Sequence, residues 1–383
     1  MNKKTTLKLI VGFSITFSLA IIFLLLARTK VYQIFELKAL DLRFVLRGNR
    51  SASMPILHID IDDQSLEKLG RWPWPRVYHA RLIDTLRECQ AKQIIFDILF
   101  MEEFKDEPQQ DELLSDSMLR SGITYLPFYF SEETINVWSE LEQLLLQDIN
   151  ISYDEAIRAL KISPQSLKED ELFLAKRYVI DEVVKVLLRK EPDITLDRLI
   201  GMIEDSKGWF LLPLEESYLK ESFASQKLSL LFINKFARDL PTEKWPFKKE
   251  YRHISTPIKK YIESIKGSGF INAEPDLDGI TRRVPLFIKY EDKILPQLTL
   301  AALIDMLDIK GIEAKNDSII LKNAQFSGIA KDIRIPVDEK CSMLINWQGR
   351  WGYSFKHIPY QMILQLQDTR EQLRVHIETA GIQ

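Results

Sequence analysis

The chain has 383 residues, 46% of them hydrophobic, and a formal net charge of −3. That apolar fraction can bury a core, which excludes global disorder, and the acidic balance excludes a basic nucleic-acid-binding surface. Two cysteines without a CxxC pair and five scattered histidines exclude zinc-ligand spacing.

Leu9 to Ala27 contains no charged residue; Lys3, Lys4 and Lys8 precede it, and Arg28 and Lys30 follow. At about 1.5 Å per residue the run approaches the ~30 Å thickness of a bilayer core. No small-residue cleavage site precedes Arg28, so the run reads as an uncleaved transmembrane signal anchor rather than a signal peptide. Residues 1–8 then precede the membrane segment and residues 28–383 follow it, with basic residues at both ends leaving the orientation open. No second apolar run of spanning length follows.

Tyr32 to Arg47 puts Ile34, Leu37, Leu40 and Phe44 on one side of a helix. Ile56 to Ile61 reads as a strand, Val77 to Glu88 as a helix with Leu82, Ile83 and Leu86 inward, and Gln93 to Leu99 as a second strand. Strand, helix and strand predict a right-handed βαβ unit with the two strands parallel neighbours. Ile123 to Phe130 is a third strand, which Pro127 confines to an edge or bulges. Residues 132–265 read as a helical insertion. Ser152 and Glu155 form a capping box there, Ser163-Pro164 starts a helix, and Thr195 opens another through Ile203. Within it, 171–189 places Leu172, Ala175, Val179, Val183, Val186 and Leu187 inward.

After Gly269 strand texture returns at 270–272 and 284–290, a helix covers 295–307, and short strands lie at 318–321, 333–335 and 343–346. The tail from 360 is polar and helical. Cys89 and Cys341 read as free thiols, with one disulfide as the alternative in an exported domain. The fold class is α/β: a mixed sheet with flanking helices, a helical insertion and one N-terminal transmembrane helix.

Three blocks carry a resemblance. The first is Asp41-Leu42-Arg43-Phe44, Ile59-Asp60, the run from Gly70 to Arg76 and the run from Phe96 to Phe100. The second is the run from Gly269 through Asp276-Leu277-Asp278-Gly279 to Leu286. The third is Leu344 to Gly349 with Phe355 and Ile358-Pro359-Tyr360. In order and spacing they resemble the CHASE2 domain, covering roughly 32–130 and 255–364. The resemblance implies a bacterial extracytoplasmic sensory domain behind one N-terminal transmembrane helix. It also implies a cytoplasmic output such as a cyclase or kinase, with ligands undefined. By that resemblance the family would continue past residue 383 into further membrane helices, so the chain is expected to be C-terminally incomplete relative to it, and no segment resembles an output domain.

The chemistry-bearing residues each have two readings. Trp72-Pro73-Trp74-Pro75-Arg76 is either a rigid aromatic shelf lining a ligand pocket, with Arg76 pairing an anion, or a packed loop that seeds the next helix. Asp60, Asp62 and Asp63 lie at the end of the first strand and Asp97 at the end of the second. Strand-end carboxylates suit a divalent cation or an acid/base pair. The plainer reading caps a helix with Asp62 or Asp63 and pairs Asp97 with Arg76 or Arg81. Asp276-Leu277-Asp278-Gly279 lacks the rest of a calcium loop and reads as a tight turn, with Arg282 or Arg283 bridging to its aspartates. No phosphate loop, GxSxG or HExxH occurs, so neither a cofactor nor a metal is expected. The candidate ligand-binding residues are Trp72, Trp74, Arg76, Asp60, Asp62, Asp97, Asp276, Asp278 and Arg282. The expected function is signal reception, without catalysis, for a small-molecule or envelope ligand. The signal would pass through residues 32–47 to the membrane helix, in a homodimer or with a separate signalling partner. The rival is a membrane-anchored, metal-dependent phosphoesterase using Asp60, Asp62 and Asp97.

Overall fold

A computed structural model describes residues 3–50, 55–131, 139–163, 167–238, 251, 253–290, 292–326 and 328–379. Helices α1 (Lys3–Ala27) and α2 (Lys30–Arg47) lead into β1 (Leu57–Asp60), α3 (Asp63–Leu69), α4 (Arg76–Glu88), β2 (Ile94–Ile95), α5 (Gln109–Ser121) and β3 (Thr124–Ser131). A helical stretch follows, with α6 (Ser139–Gln147), α7 (Tyr153–Leu160), α8 (Glu169–Lys190), α9 (Leu196–Lys207) and α10 (Pro213–Phe236). Then come β4 (His253–Ser255), α11 (Lys259–Ser264), β5 (Gly267–Phe270), β6 (Arg283–Pro285), β7 (Phe287–Tyr290), β8 (Lys293–Pro296) and α12 (Leu298–Met306). The chain closes with β9 (Gly311–Lys315), β10 (Ser318–Phe326), β11 (Ile329–Pro336), β12 (Ser342–Leu344), α13 (Trp351–Ser354), β13 (Lys356–Pro359) and α14 (Tyr360–Thr379).

Thr29 separates the first two helices. Its hydroxyl donates to Leu26 O at 2.6 Å and accepts from Tyr32 N at 3.3 Å, ending one helix and capping the next. The described part of α1 and α2 meet at 82°. Among the described residues no single helix is long and apolar enough to cross a membrane; Val11–Ala27 and Lys30–Arg47 pass that test only as a bent pair. Leu9, Ile10 and Leu24 of the expected anchor lie outside the residues whose side chains are described. Ile34, Leu37, Leu40 and Phe44 form the half-buried face of α2, as the periodicity predicts.

The fold is mixed α/β, but the single mixed sheet expected from sequence is divided into several small ones. β3 is the organiser: β2 and β5 pair with it in parallel and β4 antiparallel. The remaining pairings among the described residues are β1 with β13, β6 with β12, β7 with β8, and β9–β10–β11. The βαβ expectation is therefore corrected. β1 and β2 are not neighbours; β1 runs parallel to β13, some 300 residues on (Leu57 opposite Lys356), and β2 runs parallel to β3. Local periodicity named the strands, but partner choice depends on contacts far along the chain.

Pro127 is also not at an edge. Ile94 and Phe96 donate to Ile123 and Tyr125 O on one side of β3, while Lys266 and Ile271 donate to Thr124 and Phe128 O on the other. By that alternation Pro127 faces the side where β2 pairing has ended and β4, opposite Tyr129–Ser131, has not begun. The missing N–H therefore leaves no ladder bond unmade.

Helices α6–α10 have a core of their own, from Leu141 to Leu219. Within α8 the inward face is Leu172, Ala175, Val179, Ile180, Val184 and Leu188, with Val186 exposed. The sequence reading rotated that face slightly after Val179. The capping box of Ser152 and Glu155 and the Thr195 cap are present, whereas Pro164 lies outside the described residues. The end of α10 leaves this core, and Phe232 and Ile233 pack with Phe128, Phe130 and Phe270 of the body. β4 and α11, although within 132–265, belong to the body through β3 and α5. Cys89 and Cys341 are both free, the first exposed and the second buried. Burial pushes the Cys341 thiol up to about 12.

Candidate functional site

Arg282 is the most deeply buried arginine among the described residues, with its side chain 1% exposed. A guanidinium in that position must have all its charge answered locally. Asp276, Asp278 and Gly279 supply part of the answer. Gly279 N donates to Asp276 O at 2.8 Å, closing a turn that needs the positive φ of 81° at Gly279. This points both carboxylates back at residue 282. Arg282 Nη1 and Nη2 donate to the two oxygens of Asp278 at 2.8 Å each, and Nη1 reaches Asp276 Oδ2 at 3.2 Å.

The remaining acid comes from 241 residues upstream. Asp41 of α2 accepts Nε at 2.7 Å and Nη2 at 2.6 Å, a second bidentate pair on the same guanidinium. Lys38, one turn earlier on α2, reaches Asp278 at 3.1 Å, and Arg283 Nη1 donates to Asp276 Oδ1 at 3.0 Å. Three cations thus meet three carboxylates. Hydrogen bonds from Arg282 hold the Asp278 carboxyl far below the usual carboxylate range and Asp41 below it, while those carboxylates raise Arg282. Asp338 also lies 3.8 Å from Arg283 Nε, so every cation of the cluster is engaged and the cluster joins elements.

A second clamp holds the end of α2. Arg47 donates to Asn346 and to Trp347 O, and Arg50 N donates to Gln348 O at 2.6 Å. Gly349, at a positive φ of 140°, lies against the Asn49 side chain with no room for a Cβ. Between the two clamps and the end of α1 opens a cleft of about 510 Å³. Tyr32, Glu36, Arg43, Asp276, Arg283 and Leu344 are among its lining residues.

The domain model of one family, the CHASE2 domain, matches residues 17–378. The chain belongs to the CHASE2 family. CHASE2 domains are sensory extracellular domains rather than enzymes. Neither the curated proteins nor the solved structures gave a match.

The other candidates lie away from the CHASE2 signature turn. Trp74 is buried; its indole N–H donates to Gly70 O at 2.7 Å and its ring lies 4.9 Å from that of Tyr360. Trp72 is half-exposed and packs edge-on against Trp74 and His79. Arg76 opens α4, donates to Asp111 Oδ1 at 3.2 Å and to Glu102 O at 3.1 Å, and lies over the Phe100 ring. The block packs among aromatics at the start of α4. It surrounds His79, bonded through Nδ1 to Tyr360 at 2.8 Å and driven down to about 3 by burial.

Asp62 accepts from Ser65 N at 2.9 Å and caps α3; those bonds hold its carboxyl below the usual range. Asp60 bonds His357 Nδ1 at 2.8 Å, in a cluster with His58 and Trp351. Asp97 is exposed and pairs with neither Arg76 nor Arg81, which take Asp111 and Asp368 instead. Asp60 and Asp97 sit beside strands of different sheets, and among the described residues no group of three His, Cys, Asp or Glu is placed to hold a metal ion. Asp276, Asp278 and Arg282 do come together. Asp41, Lys38, Asp111 and His357 were not singled out from sequence. Asp41 belongs to the Asp41-Leu42-Arg43-Phe44 block, but nothing local links it to position 282.

Proposed function

We propose that this chain is the signal-receiving part of a membrane-bound receptor, with its body outside the cytoplasmic membrane and anchored once by residues 9–27. A small-molecule or envelope ligand would settle in the cleft lined by Asp276 and Arg283 and favour one of two arrangements of α2 against the body. The observation that carries this reading is the pair of bidentate bonds from Arg282 to Asp41 and Asp278, which ties the helix following the apolar run to the family's signature turn. A shift of the turn would then be passed to α2 through those bonds. The output would come from a cytoplasmic domain or a separate signalling partner, in a homodimer.

Cys89 is exposed and Cys341 buried, so the native chain carries its own topology reporter. In intact spheroplasts, a membrane-impermeant maleimide should modify Cys89 before lysis. Labelling only after lysis would place the body in the cytoplasm and end this reading. Replacing 46–50 with flexible glycines should separately abolish ligand-dependent output while Cys89 stays labelled.

A further inference from the structure

Helix α2 has two apolar faces, and only one is used. Ile34, Leu37, Leu40 and Phe44 face the body, but Val31, Phe35, Leu42, Val45 and Leu46 are 55–79% exposed. At 100° per residue these five fall in one stripe along the full helix, about 27 Å at 1.5 Å rise. An amphipathic helix on the surface of a soluble body keeps such a stripe polar.

Three observations identify what covers it. First, the described residues of α1 from Val11 to Leu26 are all exposed, so α1 projects from the body and does not pack on it. With α1 along a bilayer normal, the 82° bend lays α2 almost in the plane of the membrane. Second, Arg28, Lys30 and Arg43 are exposed and make no ion pair among the described residues, which gives this corner free positive charge. Third, the segment clamped to the end of α2 presents Trp347, Trp351 and Tyr353 to solvent. Those are the side chains that settle at a membrane–water interface.

The competing occupant is the same helix of a second copy. The spacing Val31, Phe35, Lys38, Leu42, Val45 does follow the four–three rhythm of a coiled-coil seam. Its centre, however, is Lys38, already bound to Asp278. A two-fold seam would set Lys38 against its own copy, whereas a lipid surface accepts a lysine whose stem lies in the apolar layer and whose ammonium rises out of it.

We infer that α2 lies flat in the interface of an anionic bilayer, its outer stripe among the acyl chains and its inner face bearing the sensory body. The inference rests on the anchored, extracytoplasmic placement proposed above. It adds that the body is seated on the membrane surface, so that the Arg282 cluster couples to a lipid-embedded helix.

The test uses the full chain in phosphatidylethanolamine–phosphatidylglycerol vesicles doped with chain-brominated lipid. In a Cys89→Ser background, fluorescent maleimide is placed at Leu42→Cys, at Val45→Cys or, for comparison, at Lys220→Cys on α10. Residues 42 and 45 are exposed, so neither substitution disturbs the core. Bromine quenching several-fold stronger at 42 and 45 than at 220 is expected. Equal quenching at all three positions overturns the inference. So does disulfide cross-linking between copies at 42 or 45 with no lipid quenching, which would assign the stripe to a second chain. Cys89 labelling in spheroplasts is independent of α2, so a failure here leaves the receptor reading standing and a failure there is seen separately.

Discussion

Arg76 and Arg282 are both withdrawn from water and both face carboxylates, but the acids come from different places. Arg76 meets Asp111 of α5, which also accepts from Phe104 N at 2.7 Å and the Tyr261 hydroxyl at 2.5 Å; every participant belongs to the body. Arg282 meets two aspartates of its own turn and one from α2. The same ion-pair chemistry thus does two jobs. Inside the body it fixes the aromatic core, and breaking it loosens everything packed there. Between the body and α2 it is a joint, because one acid arrives on an element with no buried residue of its own.

The sharpest contrast should come from removing one acid at each place. Asp111→Ala strands the Arg76 guanidinium in a mostly apolar surround and should cost about 3–5 kcal/mol of global stability in urea unfolding. A loss below about 1 kcal/mol would show that water reaches Arg76 freely. Arg282→Gln should instead act locally. Hydrogen exchange in α2 should rise by about tenfold or more while the amides of β3 and β5 keep their protection. Uniform loosening of both would erase the distinction.

Acid should separate the two regions by pH. His79 is held neutral by burial, so the unfolded chain binds its proton more readily. Body stability should be full above pH 6.5 and fall progressively toward pH 3, and His79→Gln should flatten that slope. Asp41 and Asp278 are held below their ordinary 3.8, so their contribution is intact above that pH and is lost only as pH falls further below it. At pH 5 the body should therefore be weakened with α2 still attached. Release of α2 already at pH 5 would contradict this ordering. The smallest effect belongs to Lys38→Ala: its ammonium is over half exposed, so urea midpoints should not move measurably.

Much of this was legible in the sequence, for physical reasons that differ by element. The helix of 32–47, the cap at Thr195 and the turn at Gly279 follow from periodicity and local backbone needs, and they stand where expected. The two arginines beside Asp276 and Asp278 announced a bridge, because residues four apart can fold back on one another. Asp41 could not be found that way. Its partner is 241 residues distant, and an aspartate in an amphipathic helix ordinarily faces water. The pairing of β1 with β13 failed to be seen for the same reason: two four-residue strands carry no mark of each other. Asp97 does not meet Asp60 because β1 and β2 belong to different sheets, and β2 spans only two residues.

A double-mutant cycle on the joint tests the account most directly. Hydrogen exchange of α2 would be followed in full-length protein carrying Asp41→Asn, Arg282→Gln or both, with β3 as internal reference. If the pair is the fastening, each single change should free α2 and the double should free it little further, because one bond cannot be lost twice. Additive effects, or an α2 that exchanges as slowly as in the parent, would mean that Asp41 and Arg282 do not hold the helix to the body.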